Sequence, residues 1–337
     1  MNKSLPLIAI TLGDPSGIGP EVVAKALTSG RLNNVARTVV VGSVPVLNKA
    51  LALVDSPLGA RGVENPTSEV EIGEIAVYET DVPANLESLA YGIASPRAGE
   101  ASVAWAKTAA NLALNGAVAG LATAPINKHA ASLAGYSDVG HQEIYQSMTG
   151  AQQVVTMLVT PGLRVVHLTT HRSLRVACDY VTKDNVLAKL RLTHDFFVTQ
   201  GFDQPRIAAA ALNPHGGEAG IIGMEEIDEI APAVRAACEA GINATGPIPA
   251  DSVFNQAIDG KFDVVLAMYH DQGHVAIKVH DWASSATVNL GLPFLRTSVD
   301  HGTAFDIAGQ GIADSTGMIQ AVRLAAAVTG TGSIAAF

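Results

Sequence analysis

The chain has 337 residues, 48% of them hydrophobic and 15% charged, with 21 Lys and Arg against 31 Asp and Glu for a formal charge of −10. That apolar content excludes a disordered chain, and an acidic balance without a Lys/Arg block excludes a surface for phosphate backbones, so nucleic acid is not an expected partner. The cysteines, Cys178 and Cys238, give neither a disulfide framework nor a paired thiolate motif; no stretch reaches the roughly 20 apolar residues of a membrane span, so a soluble, cytoplasmic protein without a membrane partner is expected.

The opening stretch is interrupted by Pro6 and runs into Gly13-Asp14-Pro15, so it reads as a first strand rather than a secretory leader. Apolar runs predict strands over Leu7 to Leu12, Thr38 to Val41, Gly120 to Ala122, Val154 to Val159, Val165 to Thr169, Ile207 to Leu212 and Val264 to Met268. Helices are predicted over Pro20 to Thr28, Ala98 to Asn115, Asn185 to Phe197, Glu225 to Ala240 and Ser315 to Val328. This alternation predicts a largely parallel sheet covered by helices. The stretch from Asp55 to Ser95 reads as irregular surface chain. At this length two domains, or one α/β unit with an insertion, are expected.

Thr11 to Glu21 is a strand, a glycine-rich turn and a helix with Pro20 in its first turn. Glycines let backbone approach a ligand and a helix start favours an anion, though a plain strand-to-helix turn has the same signature. The segment lacks both the Walker A lysine and the Gly-x-Gly-x-x-Gly spacing. Further on, Gly140-His141-Gln142-Glu143 lies in polar surroundings, where an exposed His141 is either a substrate contact or a helix cap.

Three histidines each sit just beyond an apolar run: His171 after VVHLTT, His215 after RIAAAALNP and His270 after FDVVLAMY. Open α/β sheets collect ligands outside the carboxyl ends of their strands, and three imidazoles with one open position make a catalytic metal site. A lone strand-end histidine is more often a hydrogen-bonded turn residue; three in like settings point to a metal. The run Tyr269 to Lys278 gathers two His, Asp271, Gln272 and a cation in what reads as a loop after a strand. Arg296 offers a planar donor fork for carboxylate or phosphate, although an isolated Arg is more often a surface ion-pair partner. Asp300 to Gly309 suits a loop wrapped round a nucleotide, or an ordinary cap and turn.

Together, TLGDPSGIGPE, GHQE, TTHRSL, LNPHGGE, GPIPADSVF, YHDQG and GLPFLRTSVDHGTAFDIAG resemble the 4-hydroxythreonine-4-phosphate dehydrogenase family, including its threonate and erythronate 4-phosphate branch. The first and last also look like segments of isocitrate and isopropylmalate dehydrogenases. The resemblance implies their two-domain α/β fold, with a largely parallel sheet and an active-site cleft between domains. Residues 1–130 with 288–337 would form the cofactor side, and 131–287 an inserted domain for metal, substrate and dimerisation.

The resemblance further implies an NAD site outside the Rossmann class, with NADP as the variant, approached by Gly13, Asp14, Gly17, Gly302, Thr303, Ala304, Asp306 and Gly309. His171, His215 and His270 would bind a divalent ion, zinc or else magnesium, manganese or cobalt. Both subunits of a homodimer would supply ligands, placing the active site at the subunit interface. His141, Gln142, Lys278, Thr287 and Arg296 match substrate contacts, and Lys278, Asp251 and Asp271 are the catalytic candidates. The chain departs from the family at Gln142, where Thr is usual, and at Thr287, where Asn is usual; both alter hydrogen-bond geometry against the substrate.

The expected reaction is NAD-dependent oxidation of a phosphorylated β-hydroxy acid followed by loss of CO2. The first substrate expectation is 4-phosphooxy-L-threonine, giving 3-amino-2-oxopropyl phosphate for vitamin B6 (pyridoxal phosphate) biosynthesis. D-threonate or D-erythronate 4-phosphate, giving dihydroxyacetone phosphate, and cyclic dihydrodiol carboxylates are alternatives. A three-histidine metal hydrolase is the alternative from another class.

Overall fold

Strands rich in Val, Ile and Ala that are buried on both faces belong inside a sheet covered by helices, and the chain uses them to build two units. The computed structural model describes residues 5–331 and Ile334. One unit runs up to Val154 and resumes at Leu292; the other runs from Val155 to Gly291.

The first unit begins with β1 (Leu7–Thr11), α1 (Gly19–Thr28), β2 (Arg37–Gly42), α2 (Val44–Leu53), β3 (Gly59–Val63) and β4 (Glu74–Glu79). It continues with α3 (Pro96–Leu114), β5 (Gly120–Thr123), α4 (Lys128–Leu133) and α5 (His141–Thr149). The second unit holds β6 (Val155–Thr160), β7 (Leu163–His167), α6 (Leu174–Asp179), α7 (Lys183–Thr199), β8 (Ile207–Ala210) and α8 (Ala231–Glu239). It ends with β9 (Ala244–Ile248), α9 (Ala250–Ile258), β10 (Val264–Ala267), α10 (His270–His280) and β11 (Ala286–Leu290). The chain then returns to the first unit with β12 (Arg296–Ser298) and α11 (Thr316–Thr331).

The first unit's strands run β3-β4-β2-β1-β5-β12, all parallel, with Ile8, Ile10, Val39, Leu121 and Trp105 fully buried around them. Register aligns Thr11 with Thr123 and Thr123 with Ser298, so the segments leaving β1, β5 and β12 emerge side by side. In the second unit the order is β11-β6-β7-β10-β8-β9, antiparallel through β11, β6 and β7 and parallel from β7 to β9. The carboxyl ends of β7, β10 and β8 are neighbours, His167 opposite Ala267 and Leu266 opposite Ala209.

Several elements differ from expectation. The supposedly irregular stretch from Asp55 to Ser95 holds β3 and β4; β3 is an edge strand of mostly exposed residues, without the apolar run that marks a buried strand. The segment from His270 to Lys278 is not a loop but most of α10, with Asp271 in its first turn and Lys278 in its last, charges that complement the helix dipole. The helix expected from Glu225 opens with a π turn at Glu226–Ile230 before α8. The first unit continues past residue 131, because α4 and α5 pack on α3. Among the described residues no helix is long and apolar enough to cross a membrane.

Candidate functional site

In the first unit the loop after β1 meets the loop after β12. Gly13 has φ +69°, and a Cβ there would lie 2.3 Å from the Pro125 carbonyl oxygen, which accepts the Asp14 N–H at 2.9 Å. A Cβ on Gly17 would lie 2.9 Å from Thr303, whose carbonyl accepts the Ile18 N–H at 3.0 Å. Ala304 has φ +40°, and a Cβ on Gly309 would strike the Tyr91 ring at 2.2 Å. Gly302 and Asp306 are exposed on the same loop. The glycines thus bring Gly13 and Asp14 against Pro125, and Gly17 against Thr303, just before α1, where N–H groups favour an anion. Asp14 is fully buried; one carboxylate oxygen accepts the Ser16 N–H at 2.7 Å and the other has no partner. Burial pushes its carboxyl up to about 6, against the lowering effect of the Ser16 bond.

A second cluster lies near the carboxyl end of β5, where it meets the start of β12. Arg296 is buried rather than a surface ion-pair partner, and its Nε and Nη2 donate to Thr123 Oγ1 at 3.0 and 2.7 Å. The guanidinium stands 5.9 Å over the Tyr145 ring, and burial draws it down to about 10, so it remains a cation at neutral pH. His141, expected to be exposed, is instead buried at the first position of α5 because its ring lies 5.7 Å from Tyr145, one turn along the same helix. Burial, then the Arg296 charge, hold His141 neutral, with its pKa well below the usual imidazole range. Tyr145 is pushed up to about 12 by burial. His141 Nε2 and the Tyr145 hydroxyl are buried without hydrogen-bond partners, so a buried cation sits beside two unsatisfied polar groups, a setting that suits an anionic, hydrogen-bonding ligand. Gln142 turns its amide to donate to the Val154 carbonyl.

In the second unit, the three histidines of the sequence follow the neighbouring strands β7, β10 and β8. His171 and His270 have ring centroids 5.7 Å apart, flanking a cavity of about 330 Å³ that Thr170, Arg172 and Tyr269 also line. Two imidazoles on one tetrahedral ion, with metal–nitrogen bonds of about 2.0–2.1 Å, have centroids roughly 5 Å apart, so this pair fits a shared ion. His270 Nδ1 lies 2.6 Å from Asp271 Oδ1, a contact that holds the proton on Nδ1 and leaves Nε2 for a ligand. His215 stands exposed, Nδ1 3.9 Å from Asp251 Oδ2. Among the described residues no three His, Cys, Asp or Glu side chains are grouped to hold a metal; one chain brings His171 to His270 and leaves His215 with Asp251.

Lys278 donates to Ser285 Oγ at 3.0 Å with its ammonium 4.7 Å over Trp282, and Thr287 is buried in β11 opposite Leu158. Two further histidines stand beside His270: His167, which the sequence did not mark, and His274, which it marked only as part of the polar run after β10. His274 stacks on His270 at 3.6 Å and 12°, while His167 lies 4.6 Å from His274, packed so closely on α10 that a Cβ at Gly273 would meet its Nε2 at 2.3 Å. Burial, then the two neighbouring histidines, bring His167 down to about 3.

The model of the family described as pyridoxal phosphate biosynthetic protein PdxA matches residues 34–325. The chain belongs to the PdxA family. A relative from Symbiobacterium thermophilum, provisionally named D-threonate 4-phosphate dehydrogenase, is 43% identical over 95% of this chain and 96% of its own length. The D-threonate 4-phosphate dehydrogenase of Pectobacterium atrosepticum is 39% identical, covering 95% and 98%. The crystal structure of 4-hydroxythreonine-4-phosphate dehydrogenase from Klebsiella pneumoniae superposes with a TM-score of 0.89 at 41% identity, over 95% of this chain and 98% of that one. The α/β architecture is therefore that of PdxA proteins, and this PdxA-family chain is a dehydrogenase acting on a CH–OH group rather than a hydrolase.

Proposed function

We propose that this PdxA-family dehydrogenase uses NAD and a divalent metal ion to oxidise and decarboxylate a small phosphorylated 3-hydroxy acid, with D-threonate 4-phosphate as its substrate. The observation that carries the anionic substrate is the buried Arg296, with His141 and Tyr145 beside it. The names of the Symbiobacterium and Pectobacterium relatives favour threonate; the name of the Klebsiella enzyme favours 4-phosphooxy-threonine as the second reading. The two acids differ at C2, hydroxyl in one and ammonium in the other.

The donor set fits the cofactors this reaction requires: imidazoles suit zinc and other first-row ions, and the glycine cradle at Gly13 and Gly17 with Thr303 suits the close approach of a dinucleotide. When bound, the metal supplies Lewis acidity toward the reacting hydroxyl and nicotinamide accepts the hydride. His171 and His270 hold the ion with His215, ligands being shared between two copies of the chain. Asp271 keeps His270 in the tautomer that leaves Nε2 available, while Asp251 lies 3.9 Å from His215, beyond hydrogen-bond reach, as its neighbouring negative charge. Arg296 and His141 orient an anionic end of the substrate, while Lys278, near Ser285, handles protons at the reacting carbons. Atoms balance: C3 loses a hydride and its hydroxyl proton, C1 leaves as CO2, and C2 takes up a proton to give dihydroxyacetone phosphate.

Reduced nicotinamide formation on D-threonate 4-phosphate, D-erythronate 4-phosphate and 4-phosphooxy-L-threonine tests the choice. The expected result is a kcat/KM for D-threonate 4-phosphate at least about tenfold above the others, about 1.4 kcal/mol of discrimination. A higher value for 4-phosphooxy-L-threonine would reverse the assignment.

A further inference from the structure

The segment that carries His215 takes a path that side chains resist. From His215 to Ala219 five consecutive residues lie in the left-handed region, with φ from +48° to +81°, and His215, Glu218 and Ala219 among them are not glycine. Such a run persists only where the surroundings hold it. Glu226, 2% exposed at the start of the π turn, is what holds its entry. Its Oε1 accepts the backbone N–H groups of Leu212 at 2.8 Å and Asn213 at 2.7 Å, and its Oε2 accepts the Asn213 side-chain amide at 2.9 Å. That same amide nitrogen donates to Glu225 Oε2 at 2.7 Å. The carboxylate also lies directly against the turn, since a Cβ on Gly217 would come within 2.7 Å of Glu226 Oε2. These donors are all neutral. Burying a carboxylate costs free energy unless its bonds do something an apolar residue could not, and here they clamp the residues two and three positions before His215. The π turn is the device that aims Glu226 inward, a local irregularity that recurs at functional sites.

We propose that Glu226 is a positioning residue that sets His215 for metal ligation. The inference rests on reading His215 as a ligand. Glu226 acts through the backbone at Leu212 and Asn213 and through the Asn213 side-chain amide, all anchored on one carboxylate, and never touches the ion, so its loss moves the ligand rather than removing it.

The test compares full-length wild type with Glu226→Gln, Glu225→Gln and His215→Ala, reading Co2+ and Zn2+ affinity by chelator competition, the Co2+ visible spectrum and the melting temperature of metal-free protein. In Glu226→Gln the amide oxygen can still accept both backbone N–H groups, but its nitrogen faces the Asn213 amide. Asn213 cannot reverse without setting its oxygen against Glu225. The expected result is metal binding weakened about 10- to 100-fold, with an altered cobalt spectrum and a metal-free melting temperature close to wild type; Glu225→Gln should stay near wild type. If Glu226→Gln does not fold, Glu226→Asp, whose shorter side chain cannot keep the carboxylate on both the Leu212 and Asn213 backbone N–H groups, is expected to weaken metal binding in the same way. Wild-type affinity and spectrum in Glu226→Gln, or in Glu226→Asp where that variant stands in, would overturn the proposal. Wild type that binds neither ion, or His215→Ala that binds them as wild type does, would overturn the ligand reading beneath it, a distinguishable outcome.

Discussion

A carboxyl group with no exposed surface and one backbone hydrogen bond prefers to be neutral, and Asp14 is such a group, pushed up to about 6. Its folded pKa lies above its unfolded value of 3.8, so the folded state binds the proton more tightly. The stability this contributes is complete below pH 3.8 and is lost as pH rises through about 6, roughly 3 kcal/mol over the window. Asp14→Asn retains the acceptor for the Ser16 N–H and should raise the melting temperature at neutral pH while flattening stability between about pH 4 and 6. A melting curve with the wild-type pH profile would contradict this. At Arg296 the fork matters as much as the charge: Arg296→Lys cannot reproduce the paired bonds to Thr123, and KM should rise roughly thirtyfold, about 2 kcal/mol, with a smaller change in kcat. An unchanged KM would remove Arg296 from the substrate site. Sequence reading singled out Arg296 and His141 but not Tyr145, although its i+4 spacing from His141 was available once the segment was taken as a helix. The stacking of His274 on His270 escaped for the same reason, because the segment after β10 reads as a polar loop when its charges are seen without the hydrogen bonds that make it α10.

At the level of elements, the loop between β1 and α1 depends on glycine where a side chain has no room. Gly13→Ala would place Cβ 2.3 Å from the Pro125 carbonyl at φ +69°; the left-handed cost alone is about 1–2 kcal/mol, before the clash. The expected outcome is a melting temperature lowered by several degrees together with weakened NAD binding by calorimetry. Wild-type affinity would separate this loop from the cofactor. The strands legible in sequence were the buried ones, β1, β2, β5, β6, β7, β8 and β10, whose apolar runs register directly. Those missed carry other signatures. β3 is an exposed edge, β9 contains Gly246 and Pro247, and β11 buries Thr287 and Asn289 in a pattern that does not look apolar. Their pairing is decided by neighbours distant in sequence, which local propensity does not encode.

For the whole molecule, the first unit is assembled from segments separated by more than a hundred residues, β12 pairing with β5 through Arg296 and Leu121. Periodicity could not foresee that pairing, because it joins segments far apart in sequence. Three histidines beyond apolar runs were legible, and the fold sets them after adjacent strands β7, β10 and β8; that His215 is not grouped with His171 and His270 within one chain was not legible. His171→Ala and His270→Ala should each lower kcat/KM by about 10²-fold or more and weaken zinc retention on dialysis; wild-type activity in either would remove that ring from the metal. The most direct test of the central claim is the rate of NADH formation on D-threonate 4-phosphate by protein stripped of metal with a chelator and then reloaded with Zn2+, Mn2+ or Co2+, with dihydroxyacetone phosphate assayed in parallel. The account predicts negligible turnover when stripped, recovery on reloading, and equal amounts of NADH and dihydroxyacetone phosphate. Full turnover by the stripped protein, or no NADH from any of the phosphorylated acids after reloading, would contradict it.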